Sequence, residues 1–146
     1  MPFTYDYPRA AVTVDALIFN TFGNKTTVLL IKRKNYPFEG LWAIPGGFMD
    51  MDETLIEAAH RELEEETGLS GVDLEQFYTF DAIGRDPRHR TISTIFIGKL
   101  NKQNVEVKGN DDALEAAWFD TNLLPEMAFD HREIIEMAIS KWLNRE

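Results

Sequence analysis

Short apolar runs separated by polar turns dominate the chain, and they predict a domain built largely from strands. Five runs are rich in β-branched and apolar residues and are bounded by turn signals, as strands are. The predicted strands are Ala11–Phe19, Thr26–Lys32, Val72–Phe80, Thr91–Lys99 and Glu115–Asp120. The turn at Thr21–Asn24 separates the first two runs and predicts a hairpin.

Two longer segments have apolar residues at helical spacing. The first spans about Glu53 to Thr67, where Asp52 is the predicted N-cap and Gly68 is the glycine that ends the helix. The second spans about His131 to Asn144, with Asp130 as its predicted N-cap. Strands in this order, with a central and a C-terminal helix, predict a mixed sheet in an α/β layered domain.

Composition and charge fit one acidic globular domain, which we expect to span residues 1–146. The absence of cysteine excludes disulfides, thiolate metal sites and cysteine nucleophiles. The net charge of −10 argues against nucleic acid as a partner, because proteins that bind it usually carry a basic face. No charged-then-apolar leader opens the sequence, and no apolar run approaches the roughly 18 residues of a membrane span. We therefore expect a cytoplasmic protein without a membrane partner.

The first helix carries three carboxylates on one face, because Glu62, Glu65 and Glu66 are spaced i, i+3 and i+4. Taken alone, such a cluster is more often a solvated helix surface than a site. Two neighbouring features favour a site. The apolar residues Leu55 and Leu63 put the acids at the edge of a buried face, and a Pro-Gly-Gly bend with an approachable backbone precedes the helix. Clustered oxygen donors suit Mg²⁺ or Mn²⁺.

The segment Gly47–Leu69 resembles a known signature, the Nudix box. The box reads Gly, five residues, Glu, seven residues, Arg-Glu, an aliphatic residue, any residue, Glu-Glu, any residue, Gly and an aliphatic residue. Its fixed positions are filled here by Gly47, Glu53, Arg61, Glu62, Leu63, Glu65, Glu66, Gly68 and Leu69. By this resemblance the chain is identified as a member of the Nudix hydrolase family, which implies an α/β/α sandwich around a mixed β-sheet.

The resemblance also implies roles for individual residues. The three clustered glutamates and the Gly46 carbonyl would bind Mg²⁺, or Mn²⁺ in its place, while Arg61 and Glu53 would orient the helix. Water would attack a phosphorus of a nucleoside diphosphate derivative, and the metal would neutralise the developing charge. The general base would be a box glutamate or an acid in a downstream loop. Asp112, before the last strand, is a candidate base or late metal ligand, or else only a turn residue.

Stretches outside the box are similar to those of ADP-ribose pyrophosphatases within the Nudix family. These stretches are Trp42–Phe48, Gly84–Arg88, Thr91–Ser93 and Ala128–His131. The same stretches occur in the Nudix half of bacterial regulators of NAD metabolism, which sense ADP-ribose. One of them begins a basic loop, and its Arg85, Arg88 and Arg90 are candidates for binding substrate phosphates. Alternatively, these arginines pair with nearby acids on an exposed loop.

Three functional hypotheses stay open at this point. The first is a Mg²⁺-dependent hydrolase that cleaves ADP-ribose to AMP and ribose 5-phosphate. The second is a pyrophosphatase acting on a (d)NTP or an oxidised nucleotide, and the third is a non-catalytic domain that senses ADP-ribose. The partner is in each case a small nucleotide, and we expect a homodimer because related hydrolases often dimerise.

Overall fold

Seven strands and two helices make up the fold in the computed structural model, which describes residues 2–145. The strands are β1 (Ala11–Phe22), β2 (Lys25–Arg33), β3 (Trp42–Ala43), β4 (Gly46–Phe48), β5 (Glu75–Phe80), β6 (Thr91–Leu100) and β7 (Ala113–Asp120). The helices are α1 (Leu55–Thr67) and α2 (His131–Ala138), and α2 continues as a π-helical segment, Ile139–Leu143.

The seven strands form one mixed sheet with β1 at its centre. β1 pairs in parallel with β6 along its length and antiparallel with β2 through the predicted hairpin. β5 flanks β6, while β3 and β7 both pair with β2 and β4 pairs with the first half of β1. The mixed sheet predicted from the sequence is confirmed.

Both faces of β1 are covered, because residues 13–20 are buried without interruption. Side chains alternate between the faces of a strand, so neighbouring residues meet different helices. Phe19 packs with Ile134 of α2 on one face, and Ile18 packs with Leu63 of α1 on the other. The sheet is therefore a layer between two helices, which confirms the α/β/α sandwich.

The start of α1 differs from the prediction, because the N-cap is Thr54 and not Asp52. The Thr54 hydroxyl accepts from the Glu57 backbone N–H at 3.3 Å, and the Glu57 carboxylate accepts from the Thr54 N–H at 2.8 Å. This reciprocal pair is a capping box, which satisfies two N–H groups at once, whereas Asp52 lies too early to do so. The predicted end is confirmed, since Gly68 has φ 78° and donates to the Glu64 carbonyl at 2.9 Å.

α2 begins at His131 with Asp130 at the N-cap position, as predicted, but the expected capping by the Asp130 side chain is wrong. Asp130 precedes the helix but makes no side-chain capping hydrogen bond. Its carboxylate instead accepts two hydrogen bonds from Arg85, which lies far away in the chain. A bidentate bond to a buried guanidinium is stronger than a bond to a helix N–H, so the long-range partner prevails.

Within the described residues, no helix has the length and apolar character needed to cross a membrane.

Three strands differ from their predicted bounds by two or more residues, while β2 and β6 differ by only one residue at an end. The hairpin pairing continues to Phe22–Lys25, so β1 extends beyond Phe19 and the turn shrinks to two residues. β7 begins earlier, at Ala113, where it already pairs with β2. β5 begins later, at Glu75, because the apolar residues before it pack under the sheet without joining it.

Candidate active site

A pocket of about 220 Å³ opens where β1, β2, β4 and β6 approach the second half of α1. Acidic residues from four segments line it: Asp15 of β1, Glu62 and Glu66 of α1, Asp86 of the loop after β5, and Asp112 of the loop before β7. The basic and aromatic residues of the wall include Arg33, Arg85, Arg88, Phe48, Phe129 and His131. Because acidic and basic side chains line the same space, the pocket can hold a cation and an anion side by side.

The Pro-Gly-Gly bend lies directly against the carboxylates. A Cβ on Gly47 would overlap the carboxylate of Glu62, and a Cβ on Gly46 would overlap that of Asp15. The Gly46 N–H donates to the Glu66 carboxylate at 2.8 Å. Only glycine allows the chain to approach these acids so closely, which explains two consecutive glycines at this point.

Burial raises the pKa of three pocket carboxyl groups. Desolvation is the largest cause each time, and it raises the pKa of Glu66 to about 8, that of Glu62 to about 7 and that of Asp15 to about 7. Nearby acids add to this effect, while the charge of Arg85 opposes it at Asp15 and that of Arg61 opposes it at Glu62. A cation bound beside these groups would relieve both the desolvation and the repulsion.

The donor set fits a hard divalent cation, since carboxylate oxygens are the ligands that Mg²⁺ and Mn²⁺ take. Glu62 and Glu66 are the two box glutamates that line the pocket, and Gly46 lines it beside them. As the side chains stand, residues 2–145 contain no group of three acidic or histidine side chains gathered closely enough to hold an ion. The chemistry of the donors therefore fits a divalent cation. Binding the cation would draw these donors closer together to complete its coordination shell.

Arg61 joins the loop before α1 to the helix itself. Its guanidinium donates to the Glu53 carboxylate at 2.9 and 2.6 Å and to the Phe48 carbonyl at 3.1 Å. The hydrogen bonds from Arg61 are the largest cause that lowers the pKa of Glu53 to about 2. Arg61 also donates to Glu65 at 3.2 Å, and Glu65 lies outside the pocket wall with 44% of its side chain exposed.

The basic loop after β5 divides between the pocket and the surface. Arg85 lines the pocket and is almost fully buried; it donates to Asp130 at 2.9 and 2.8 Å and to the Ser93 hydroxyl at 2.6 Å. Arg88 also lines the pocket and is paired with Asp86 at 2.8 Å. Arg90 lies outside the pocket wall, where its guanidinium donates to the Asp81 carbonyl at 2.7 Å.

Asp112 is a turn residue and also a residue of the pocket wall. It belongs to a turn, where its carbonyl accepts from the Lys34 N–H at 3.3 Å, and it also lines the pocket. Its charge contributes to raising the pKa of Glu66, so the two carboxylates are electrostatically coupled. Asp112 is thus a turn residue placed within reach of the acidic end of the pocket.

A profile of the NUDIX domain matches residues 9–138, which is most of the chain. The chain belongs to the Nudix family. It is 46% identical over 138 residues to the ADP-ribose pyrophosphatase of Methanocaldococcus jannaschii, a match that covers 94% of this chain and 78% of that protein.

Solved structures of Nudix proteins share this fold. The NUDIX domain of Shewanella oneidensis NrtR, complexed with ADP ribose, superposes with a TM-score of 0.85 at 31% identity, covering 94% of this chain and 93% of that one. A bifunctional NMN adenylyltransferase/ADP ribose pyrophosphatase from Francisella tularensis, complexed with AMP and a Mn ion, has a TM-score of 0.80 at 31% identity. That match covers 94% of this chain and 43% of the bifunctional protein.

Among the charged residues of this Nudix pocket, Asp15, Arg33 and Lys34 were not singled out from the sequence, and His131 was named only as the end of the stretch Ala128–His131. The available signal for Asp15 was a lone acid inside an otherwise apolar strand. His131 is buried, and its Nδ1 accepts from the Ile44 N–H at 2.9 Å. Arg33 ends a strand, and no local pattern distinguishes it from a surface arginine.

Proposed function

We propose that this Nudix hydrolase cleaves ADP-ribose to AMP and ribose 5-phosphate, with Mg²⁺ as its cofactor. The observation that carries the proposal is the pocket, which sets the buried carboxylate of Glu66 and the partly buried one of Glu62 against the guanidiniums of Arg33, Arg85 and Arg88. A diphosphate with a divalent cation has the matching arrangement of charge. The similarity to the Methanocaldococcus jannaschii ADP-ribose pyrophosphatase favours ADP-ribose among the possible diphosphates.

The chain's own residues divide the work of hydrolysis. Glu62, Glu66 and the Gly46 carbonyl are proposed to hold the cation, with Asp112 of the pocket wall and Glu65 of the same helix, outside that wall, as further ligands. A bound Mg²⁺ supplies Lewis-acid stabilisation of the diphosphate oxygens.

The remaining groups handle the substrate and the proton. Arg85 and Arg88 are proposed to donate to the diphosphate oxygens, since guanidinium forks match such acceptors. The attacking water adds its oxygen to one phosphorus, the other phosphate leaves with the bridging oxygen, and a pocket carboxylate takes the proton. Glu53 and Arg61 are proposed to fix α1 against its loop and so keep Glu62 and Glu66 in place.

A substrate panel with Mg²⁺ and with Mn²⁺ tests this proposal. We expect ADP-ribose to yield AMP and ribose 5-phosphate in equal amounts, identified by mass spectrometry, with a higher kcat/KM than dGTP or 8-oxo-dGTP. Preferential cleavage of the triphosphates would instead establish a (d)NTP pyrophosphatase.

A sensor is the second candidate, because the NUDIX domain of Shewanella oneidensis NrtR is complexed with ADP ribose. Tight binding of ADP-ribose, with no turnover of any diphosphate in either metal, would establish it and reject the hydrolase. Calorimetric titration of the same protein sample separates the two outcomes.

The location, assembly and partners of the protein are also proposed from its sequence. We expect a cytoplasmic homodimer of a single domain spanning residues 1–146, without nucleic acid as a partner. Light scattering coupled to size exclusion measures the assembly. A monomeric mass at micromolar concentration would reject the homodimer.

A further inference from the structure

Phe129, in the loop before α2, has two guanidinium groups over its ring. The Cζ atom of Arg33 lies 5.0 Å from the ring centre and that of Arg88 lies 5.8 Å from it. All three residues line the pocket. The two arginines come from different segments, β2 and the loop after β5, and both lie over the Phe129 ring. Arg88 also lies over the Phe48 ring at 5.4 Å, whereas Arg33 is drawn to the wall by Phe129.

The two guanidiniums repel each other across this ring. Arg88 has a carboxylate partner in Asp86 at 2.8 Å, whereas the hydrogen bonds of Arg33 go to the carbonyl oxygens of Pro37 and Asn35. Burial, and next the charge of Arg88, lower the pKa of Arg33. The negative face of an aromatic ring attracts a cation within about 6 Å of its centre, so the ring offsets part of the repulsion.

The backbone of Phe129 is in a conformation that a phenylalanine rarely adopts. Its φ is 52°, and Phe38, which packs edge-on against its ring at 4.9 Å, has φ 61°. Positive φ at two non-glycine residues in contact is unfavourable and persists only where the surroundings impose it, often at functional sites. Here the strained segment presents an aromatic ring to the pocket arginines.

We propose that Phe129 is a positioning residue for the substrate diphosphate, because its ring holds Arg33 and Arg88 together at the pocket wall as one anion-binding pair. The proposal rests on the proposed function in that the anion is the diphosphate of the substrate. Arg33 thereby becomes a third diphosphate-binding arginine beside Arg85 and Arg88. Phe129 itself makes no bond to the reacting atoms and acts through the guanidiniums.

The first test compares Phe129→Leu with Phe129→Tyr. Leucine removes the ring face, and tyrosine keeps it. We expect Phe129→Leu to raise KM for ADP-ribose about three- to thirty-fold with kcat changed less than threefold, which is the range that cation–π contacts contribute. Phe129→Tyr should have a KM for ADP-ribose close to that of the wild type. Equal losses in the two variants, or a loss confined to kcat, would overturn the proposal.

Phe38→Leu is the matched control, because it removes the neighbouring ring at another positive φ and leaves both guanidinium contacts intact. If the ring pair only packs the loop, the two leucine variants should raise KM equally. A much smaller rise in Phe38→Leu supports positioning of the arginines by Phe129. Should Phe129→Leu fail to fold in thermal denaturation, Phe129→Met replaces it in the same comparison.

A direct binding measurement separates this proposal from the proposed function. Calorimetry gives Kd for ADP-ribose and for inorganic pyrophosphate, with Phe129→Leu made alone and together with Arg33→Ala. We expect weaker binding of both probes in Phe129→Leu and little further effect of Phe129→Leu once Arg33 is replaced. Binding of ADP-ribose without turnover would reject the proposed hydrolase function, while the weaker binding in Phe129→Leu would still support the positioning role of Phe129. Additive losses, or a wild-type protein that binds neither probe, would overturn the role of Phe129.

Discussion

At the scale of single residues, His131 shows how burial sets a charge state. Its Nδ1 accepts from the Ile44 N–H at 2.9 Å, which requires a ring that is unprotonated at that nitrogen. Burial lowers the pKa of His131 from its ordinary 6.5 to about 4, with Asp130 opposing the shift and Arg85 and Arg33 adding to it. The histidine is therefore neutral in the folded chain above about pH 4, and it ties α2 to the segment between β3 and β4 that leads into the glycine bend.

This lowered pKa predicts a loss of stability in acid. Between pH 6.5 and 4 the unfolded chain binds a proton at His131 that the folded chain does not, so the free energy of unfolding falls as the pH falls. Histidine and asparagine can both accept the Ile44 N–H, but only histidine titrates. We expect His131→Asn to lose less stability over this window in urea denaturation, by roughly 1–3 kcal/mol. His60→Asn, on an exposed position of α1, should follow the wild type, and an unchanged acid limb in His131→Asn would contradict the assignment.

Residues within the signature were predictable from one pattern, whereas residues outside it were predictable only in part. Glu62 and Glu66 were predicted from the box, and they line the pocket. Asp15 lines the same pocket but shares no local pattern with them, because it comes from a strand that meets the helix only through folding. A lone acid in an apolar strand indicates a polar partner or site, but the sequence does not indicate which residues that acid faces.

At the scale of elements, the residues that precede the two helices differ in the range of their hydrogen bonds: one bonds within its own helix, and the other bonds to a distant part of the chain. Thr54 and Glu57 form their capping box within four residues, so this start depends on the local sequence alone. At the start of α2, the Asp130 carboxylate is bound to Arg85, 45 residues away in the chain, and does not cap the helix. Local patterns therefore place the helices well, but they cannot tell a capping aspartate from one committed to a distant arginine.

The capping box gives a test at this scale. Thr54→Ala removes the acceptor for the Glu57 N–H and should lower the free energy of unfolding by about 1 kcal/mol. Asp52→Ala is the matched control, because the exposed Asp52 side chain was the predicted cap and proved not to be one. Chemical denaturation measures both variants. A larger loss in Asp52→Ala than in Thr54→Ala would contradict the capping assignment.

At the scale of the whole molecule, the pocket gathers groups from stretches that lie far apart in the chain. Asp15 comes from β1, Arg33 from β2, Glu66 from α1, Arg85 from the loop after β5 and Phe129 from the loop before α2. The fold class could be predicted because strand and helix periodicities are local and the box is specific. The anion-binding side could be predicted only in part, since it exists only once β2 and two loops converge.

The carboxylates that α1 places in the pocket are proposed to support metal-dependent cleavage of ADP-ribose. The most direct measurement compares kcat for Glu66→Gln and Glu64→Gln with Mg²⁺ at saturating ADP-ribose. Both variants lose one carboxylate from the same helix, but Glu66 is buried in the pocket and Glu64 is exposed. We expect Glu66→Gln to lose at least about a hundredfold with its thermal unfolding intact, and Glu64→Gln to keep the wild-type rate. A near-wild-type rate in folded Glu66→Gln would contradict the account.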